Sequence, residues 1–195
     1  KRIDLTRIHM EEDAGKSIHD IDPFDSLIDL NRAGVALLEI VTEPVLRTSE
    51  EAYSFVTEVR KLVRYLDICD GNMDEGSMRC DANISVRLKG ETELRNRVEV
   101  KNMNSIRNVQ KAIDLEVKRQ IEVYENNGEV DQETRNFNAA KNETSVLRSK
   151  EDAHDYRYFP EPDLSPIIIQ QSYISEIKSG LPALPEELYA KYTKE

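Results

Sequence analysis

The 195-residue chain contains only two cysteines, Cys69 and Cys80, eleven positions apart. That spacing matches neither a zinc module nor a redox pair, and so few thiols point to a reducing compartment and away from a disulfide scaffold. No apolar run approaches the roughly twenty residues needed to span a bilayer. The start of the chain lacks the basic-then-apolar layout of a signal peptide, so a cytoplasmic location is expected. Positive charge is also short: 27 Lys and Arg stand against 38 Asp and Glu, a net charge of −11. Such a balance makes a poor main grip for nucleic acid, whose phosphates need Lys and Arg in excess, and suits a carboxylate-rich metal site better. Neither common nucleotide fingerprint is present, the Gly-x-x-x-x-Gly-Lys-Ser/Thr loop or Gly-x-Gly-x-x-Gly. His9, His19 and His154 form no His-Glu-x-x-His pair, and there is no serine nucleophile elbow. The acidic run from Asp70 to Asp81 imitates a calcium loop, but its glycine falls at the seventh place instead of the sixth.

What the chain does have is a strict alternation. Met78, Cys80, Ala82, Ile84, Val86 and Leu88 alternate with Arg79, Asp81, Asn83, Ser85 and Arg87. A period of two predicts a strand over 78–88 with one face on a core. The polar face is either a solvated surface or a row able to grip phosphate or metal. Val98 and Val100 alternate in the same way with Arg97, Glu99 and Lys101, and Lys89-Gly-Glu91 between the two runs is turn-prone. An antiparallel pair with Asp81 and Glu99 on its polar face is expected.

The remaining elements follow from period and punctuation. Residues 1–10 read as a strand, with a turn at Asp13-Ala-Gly15. Extended chain is expected from about Leu27 to Val41, broken at Asn31–Gly34 and stopped by Pro44. Thr48-Ser-Glu-Glu51 reads as a capping box opening a helix on Ala52, Val56, Val59, Val63 and Leu66. Ser105 caps a second, with Ile106, Val109, Ile113, Val117, Ile121 and Tyr124 on its apolar stripe and Gly128 at its end. The chain then reads as polar to about Ser145, followed by a short strand, and a further strand is predicted over Ile167–Gln170. Two helices follow Ser172, separated by Pro182 and Pro185. Strands and helices do not alternate regularly, so the expected class is α+β, with a mixed, largely antiparallel sheet and packed helices. The chain opens at Lys1-Arg-Ile-Asp-Leu5 without Met and ends at Lys194-Glu195 within a helical pattern, and it reads as a piece of a longer protein.

Four acids stand out. Glu39 lies inside Val35-Ala-Leu-Leu-Glu-Ile-Val41, where a carboxylate is costly unless it faces water, finds a partner or meets a cation. Glu12 belongs to the triplet Glu11-Glu-Asp13, ahead of the small-residue turn Ala14-Gly-Lys16. Asp81 and Glu99 complete the set. Carboxylates converging from separate strands would suit Mg²⁺ and metal-assisted phosphoryl transfer; acids splayed to unrelated surfaces would only support the fold. Asp155-Tyr-Arg-Tyr-Phe-Pro-Glu-Pro-Asp163 is either a proline-stiffened loop packing its aromatics or a clamp in which Arg157 meets an anion.

Ordered blocks across nearly the whole chain resemble the B subunits of tRNA-dependent amidotransferases. They are His9-Met-Glu-Glu-Asp-Ala-Gly-Lys16, Asp29–Gly34 running into Leu38-Glu-Ile-Val-Thr-Glu-Pro44, Gly76–Ser85, Glu99-Val-Lys-Asn-Met-Asn-Ser105, Arg119-Gln120, Gln132-Glu-Thr-Arg135 and Asp155–Leu164. The resemblance implies a subunit that uses ATP to phosphorylate the side chain of mischarged Glu-tRNA(Gln) or Asp-tRNA(Asn). Ammonia from a glutaminase partner then converts the phosphate to the amide. It also implies a cradle domain related to glutamine synthetase, covering 1–181 without its amino-terminal portion, and the start of a helical domain over 182–195. By motif, Glu12, Glu39, Asp81 and Glu99 fall where the family places its Mg²⁺ and kinase-site carboxylates, and Arg79, Asn83 and Lys101 fall at phosphate contacts. The implied partners are the amidase (A) subunit, the small C subunit and the tRNA, and the isolated piece is expected to be inactive. The competing reading is a non-catalytic scaffold that docks the amidase and presents tRNA. An archaeal paralogue specific for Glu-tRNA(Gln) shares the motifs but carries an inserted domain, against which the unbroken link between Ser165 and Pro182 argues.

Overall fold

The structure, a computed structural model, describes residues 1–19, 21–149 and 165–194. Its first four strands are β1 (Leu5–Glu12), β2 (Lys16–Ile18), β3 (Leu27–Asp29) and β4 (Ala36–Thr42). They form two antiparallel ribbons, β1 with β4 and β2 with β3. The break expected at Asn31–Gly34 is the turn between β3 and β4, where Gly34 takes φ +78°, a left-handed conformation that costs glycine nothing. Helix α1 (Ser49–Tyr65) follows. The Thr48 hydroxyl accepts from the Glu51 amide at 3.2 Å. The reciprocal half of the capping box is not made: the Glu51 carboxylate accepts from the Arg47 amide at 2.7 Å and pairs with Lys1 at 2.6 Å. The Glu51 carboxylate is engaged by a cation and by the amide before the cap residue.

The main sheet comprises β5 (Ala82–Ile84), β6 (Val98–Lys101), β7 (Glu133–Asn138) and β8 (Glu143–Ser149), in that order. β5–β6 and β7–β8 are antiparallel, and β6–β7 is parallel. A parallel pair needs a crossover, and α2 (Ile106–Glu125) supplies it. The fold is therefore α+β with a mixed, mostly antiparallel sheet. Val98 and Val100 are wholly buried, and with Met73, Ile84, Met103, Val109, Ala112, Val130 and Phe137 they make the core.

Several expected elements differ. The strand expected over 78–88 pairs only over 82–84. Beyond it the Val86 amide donates to the Gln120 side chain at 3.0 Å, so a helix residue takes the bond a strand partner would have accepted. The polar stretch after Gly128 holds β7, where Phe137 joins the core and buried Thr134 lies on the other face beside Glu99; β8, paired with it, overlaps the short strand expected after Ser145. Residues 165–170 form no strand before α3 (Gln171–Gly180) and α4 (Pro185–Tyr192). On α2 the fully buried positions are Val109, Ala112, Glu116 and Gln120, while Ile121 is exposed. The helix packs on α1 and on β5 and β8, which turns its inner face away from the simple apolar stripe. The segment Asp155–Asp163, with Arg157, lies outside the described residues.

Candidate functional site

The register of the β5–β6 pair sets Asn83 opposite Glu99 and Ala82 opposite Val100, so Asp81 continues the ladder toward Lys101. The Lys101 ammonium donates to the Asp81 carboxylate and stands 3.3 Å from Glu99 Oε1. Glu99 Oε2 also accepts from Thr134 Oγ1 at 3.0 Å, across to β7. Burial alone would depress the Lys101 pKa. The Asp81 hydrogen bond and charge, with Glu99 behind them, outweigh that and hold it above the ordinary lysine value. Lys101 is therefore a fixed cation at neutral pH. Two carboxylates against one ammonium leave the trio with a net charge of −1.

Glu39 belongs to a different group. In the β1–β4 ribbon it lies opposite His9, with Arg7 NH2 3.5 Å and His9 Nδ1 3.8 Å from its Oε2. This is the half-buried face, so Glu39 is an ion-paired carboxylate on an inward side, not a solvated edge residue. The opposite face is apolar and open, with Ile8 set against Ile40 and Met10 against Leu38. Glu12 closes the ribbon opposite Ala36 and is exposed.

Its neighbour Asp13, read from sequence only as part of an acidic triplet, is the best-partnered acid here. Its side chain is 12% exposed; its Oδ2 lies 2.6 Å from Arg32 Nε and 3.2 Å from Arg79 NH2. Arg32 NH1 also donates to the Gly76 carbonyl at 3.0 Å. No local pattern marks this set, because its members come from three separate loops.

The anticipated meeting of four acids around one ion is thus not what the described residues arrange. Asp81 and Glu99 meet, but the cation between them is Lys101. Glu39 sits with Arg7 and His9, and Glu12 stands at a ribbon end. Among the described residues no group of three or more His, Cys, Asp or Glu side chains is placed to hold a metal ion. A magnesium ion held by all four acids does not fit this arrangement. Of the expected phosphate contacts, Lys101 and Asn83 lie on the β5–β6 pair, while Arg79 reaches Asp13.

Cys80, adjacent to Asp81, holds its proton more tightly than an ordinary thiol. Burial first, and the Asp81 charge second, push its thiol up to about 12. The folded state keeps a proton that an unfolded chain sheds near pH 9, so this group lowers stability as pH rises from about 9 toward 12. At pH 8 iodoacetamide is expected to leave Cys80 unmodified in native protein and to label it after unfolding, as read by mass spectrometry. Rapid native labelling would show the thiol to be accessible and ionised.

Comparison with known proteins bears on this geometry. The GatB/GatE catalytic domain model matches residues 1–175. The aspartyl/glutamyl-tRNA(Asn/Gln) amidotransferase subunits B of Paramagnetospirillum magneticum and Gluconobacter oxydans are each 60% identical over all 195 residues, covering 40% of those relatives. The corresponding subunit of Rickettsia rickettsii is 56% identical over the same span. The chain spans about 40% of the length of the curated relatives it matches. With the family model matching residues 1–175 and relatives 60% identical across all 195 residues, the chain belongs to the GatB/GatE catalytic domain family.

Proposed function

We propose that this chain is part of the catalytic domain of an amidotransferase B subunit that activates the side-chain carboxylate of mischarged tRNA with ATP. The observation that carries the reading is the Asp81–Lys101–Glu99 cluster on the β5–β6 pair, inside a chain of this family. In the step proposed, a carboxylate oxygen of Glu-tRNA(Gln) or Asp-tRNA(Asn) bonds to the γ-phosphorus of ATP. The bond to the β–γ bridging oxygen breaks, and its electron pair leaves with ADP. Ammonia then bonds to the acyl carbon, the acyl–phosphate C–O bond breaks, and phosphate leaves with the amide formed.

Lys101, held protonated, offers a positioned ammonium to phosphate oxygens, and Asp81 and Glu99 fix its Nζ. Arg79 and Asn83 are the accompanying phosphate contacts in this reading. Glu12 and Glu39 complete the proposed set of kinase-site acids from the neighbouring ribbon. Magnesium would neutralise phosphate oxygens in such chemistry. Since the described residues do not gather its ligands, no step is assigned to it. The partners in this reading are an amidase subunit that supplies ammonia, a small C subunit and the mischarged tRNA; the setting is cytoplasmic, and a boundary near Pro182 separates the cradle from a helical domain.

The test uses the assembled complex with each mischarged tRNA, γ-labelled ATP and no glutamine. Label on Glu-tRNA(Gln) or Asp-tRNA(Asn) is expected, and on both if the subunit is dual-specific. Amide formation without ATP consumption would overturn the reading and favour a scaffold that docks the amidase and presents tRNA.

A further inference from the structure

Arg32 and Arg79 converge on one oxygen of Asp13. Two guanidiniums against one carboxylate leave a net charge of +1, in a chain whose net charge is −11. No other carboxylate among the described residues comes within 4 Å of either guanidinium. A structural staple between two acidic segments would be satisfied by one arginine; the second leaves donors and charge unspent. Arg32 uses Nε on Asp13 and one N–H of NH1 on the Gly76 carbonyl, so three of its five N–H groups have no use described so far. Arg79 uses one, and its side chain is 62% exposed.

The surroundings are built to hold these arms still. The Asp13 amide donates to the Val35 carbonyl at 2.8 Å and its own carbonyl accepts from Gly34 at 2.9 Å, which locks the Arg32 turn onto the end of β1. Asp13 Oδ1 accepts from the Ala14 amide at 3.1 Å, leaving Oδ2 to both arginines. On the other side Gly76 has φ +79°, a conformation strained for most side chains, and a Cβ there would lie 3.0 Å from Arg32 NH1 and push it aside. The loop carrying Gly76 is itself tied: the Asp74 and Glu75 amides donate to Asn72 Oδ1, and the Met78 amide donates to the Asn72 carbonyl. Paired, planar, pre-oriented guanidiniums match a phosphate's oxygens in a way a flexible lysine does not. Arg79 precedes by two residues the Asp81 that holds Lys101.

We propose that Arg32 and Arg79, positioned by Asp13 and Gly76, form a two-armed clamp for the terminal phosphate of the nucleotide. The proposal rests on the kinase reading above, and it adds Arg32 as a phosphate-binding residue and Asp13 as a positioning residue. Nucleotide is favoured over tRNA backbone phosphate because the clamp is one confined cationic spot in an acidic chain, whereas a backbone is gripped by an extended basic track.

Two measurements on the full-length subunit in its assembled complex test this. In the first, inorganic tripolyphosphate is titrated by calorimetry without tRNA. Arg32→Ala is expected to weaken binding about ten- to hundredfold, the loss of charged hydrogen bonds, and Arg32→Lys to recover part of it. In the second, KM is measured separately for ATP and for mischarged tRNA. Arg32→Ala and Asp13→Asn should raise KM for ATP and leave KM for tRNA and the partner's glutamine hydrolysis within about twofold, a split that a merely structural role would not produce. Should Arg32→Ala fail to fold, Arg32→Lys carries the test, because it keeps the charge and loses the fork. Unchanged tripolyphosphate binding in a folded variant overturns the clamp, as does a shift confined to KM for tRNA. Arg32-dependent tripolyphosphate binding in a complex that never phosphorylates tRNA upholds the clamp and overturns the kinase reading instead.

Discussion

Asp81→Asn in the full-length subunit is expected to abolish ATP-dependent phosphorylation of mischarged tRNA, while glutamine hydrolysis by the amidase partner is retained at least in part. The substitution preserves size and shape but removes the charge that Lys101 meets most directly. Lys101 is then left with Glu99 at 3.3 Å and is drawn toward it, away from the position the two carboxylates define together. Removing one preorganised charged partner at a reacting phosphate costs about 10²–10³ in rate or more. Glu99→Gln should move activity the same way, by less where Asp81 still anchors the ammonium. Both variants should show an earlier loss of Lys101 charge with rising pH, since the shift above the ordinary lysine value comes from these two acids. Single-turnover formation of labelled tRNA is the measurement. Normal phosphorylation by Asp81→Asn would end the catalytic assignment of this cluster.

The largest expected loss of stability comes from Glu116→Ala. Glu116 is wholly buried on α2 and takes two hydrogen bonds from Arg119, at 2.9 and 2.7 Å. Gln120 Nε2 donates to it at 2.8 Å and to the Ile84 carbonyl at 3.1 Å, so the network reaches β5. Arg135 of β7 lies 3.7 Å from Glu116 and 2.6 Å from Glu133, which also stands 3.6 Å from Arg119. Two carboxylates balance two guanidiniums in this cluster. Deleting one carboxylate strands a partly buried positive charge and leaves a cavity, at a cost of about 3–5 kcal/mol. Glu116→Gln keeps the volume and one acceptor and should cost less. Denaturant unfolding checks both, and a change below about 1 kcal/mol for the alanine variant would mean that the network relaxes around the gap or is solvated. The cluster also links α2 to β5 and β7, so its loss is expected to loosen the pair that carries Asp81 and Glu99.

Much of the fold was legible because it rests on local rules. Alternation at Val98–Lys101 placed two valines inward and two charges outward, and the structure buries both valines and pairs the charges. Thr48 and Ser105, each ahead of a helical period, cap the helices they were expected to cap. Strand β7 was illegible, although the strand after Ser145 that pairs with it was expected: Glu133, Arg135, Asn136 and Asn138 hide Phe137, whose burial depends on β6 and α2 arriving from elsewhere. Glu116 and Gln120 were passed over for the opposite reason. Their spacing from Val109 and Ala112 is helical, but polarity argues for solvent until Arg119 and Arg135 are known to be present.

Composition and motif order alone determined the class of fold, the antiparallel pairing of the segments that hold Asn83 and Glu99, and the family, because period, turn chemistry and ordered motifs are properties of neighbours in the chain. Which charges meet was decided only in three dimensions. Long-range ion pairing depends on which loops the core brings together, and that is why Lys101 sits between two acids, Glu39 faces Arg7 and His9, and Asp13 holds Arg32 and Arg79.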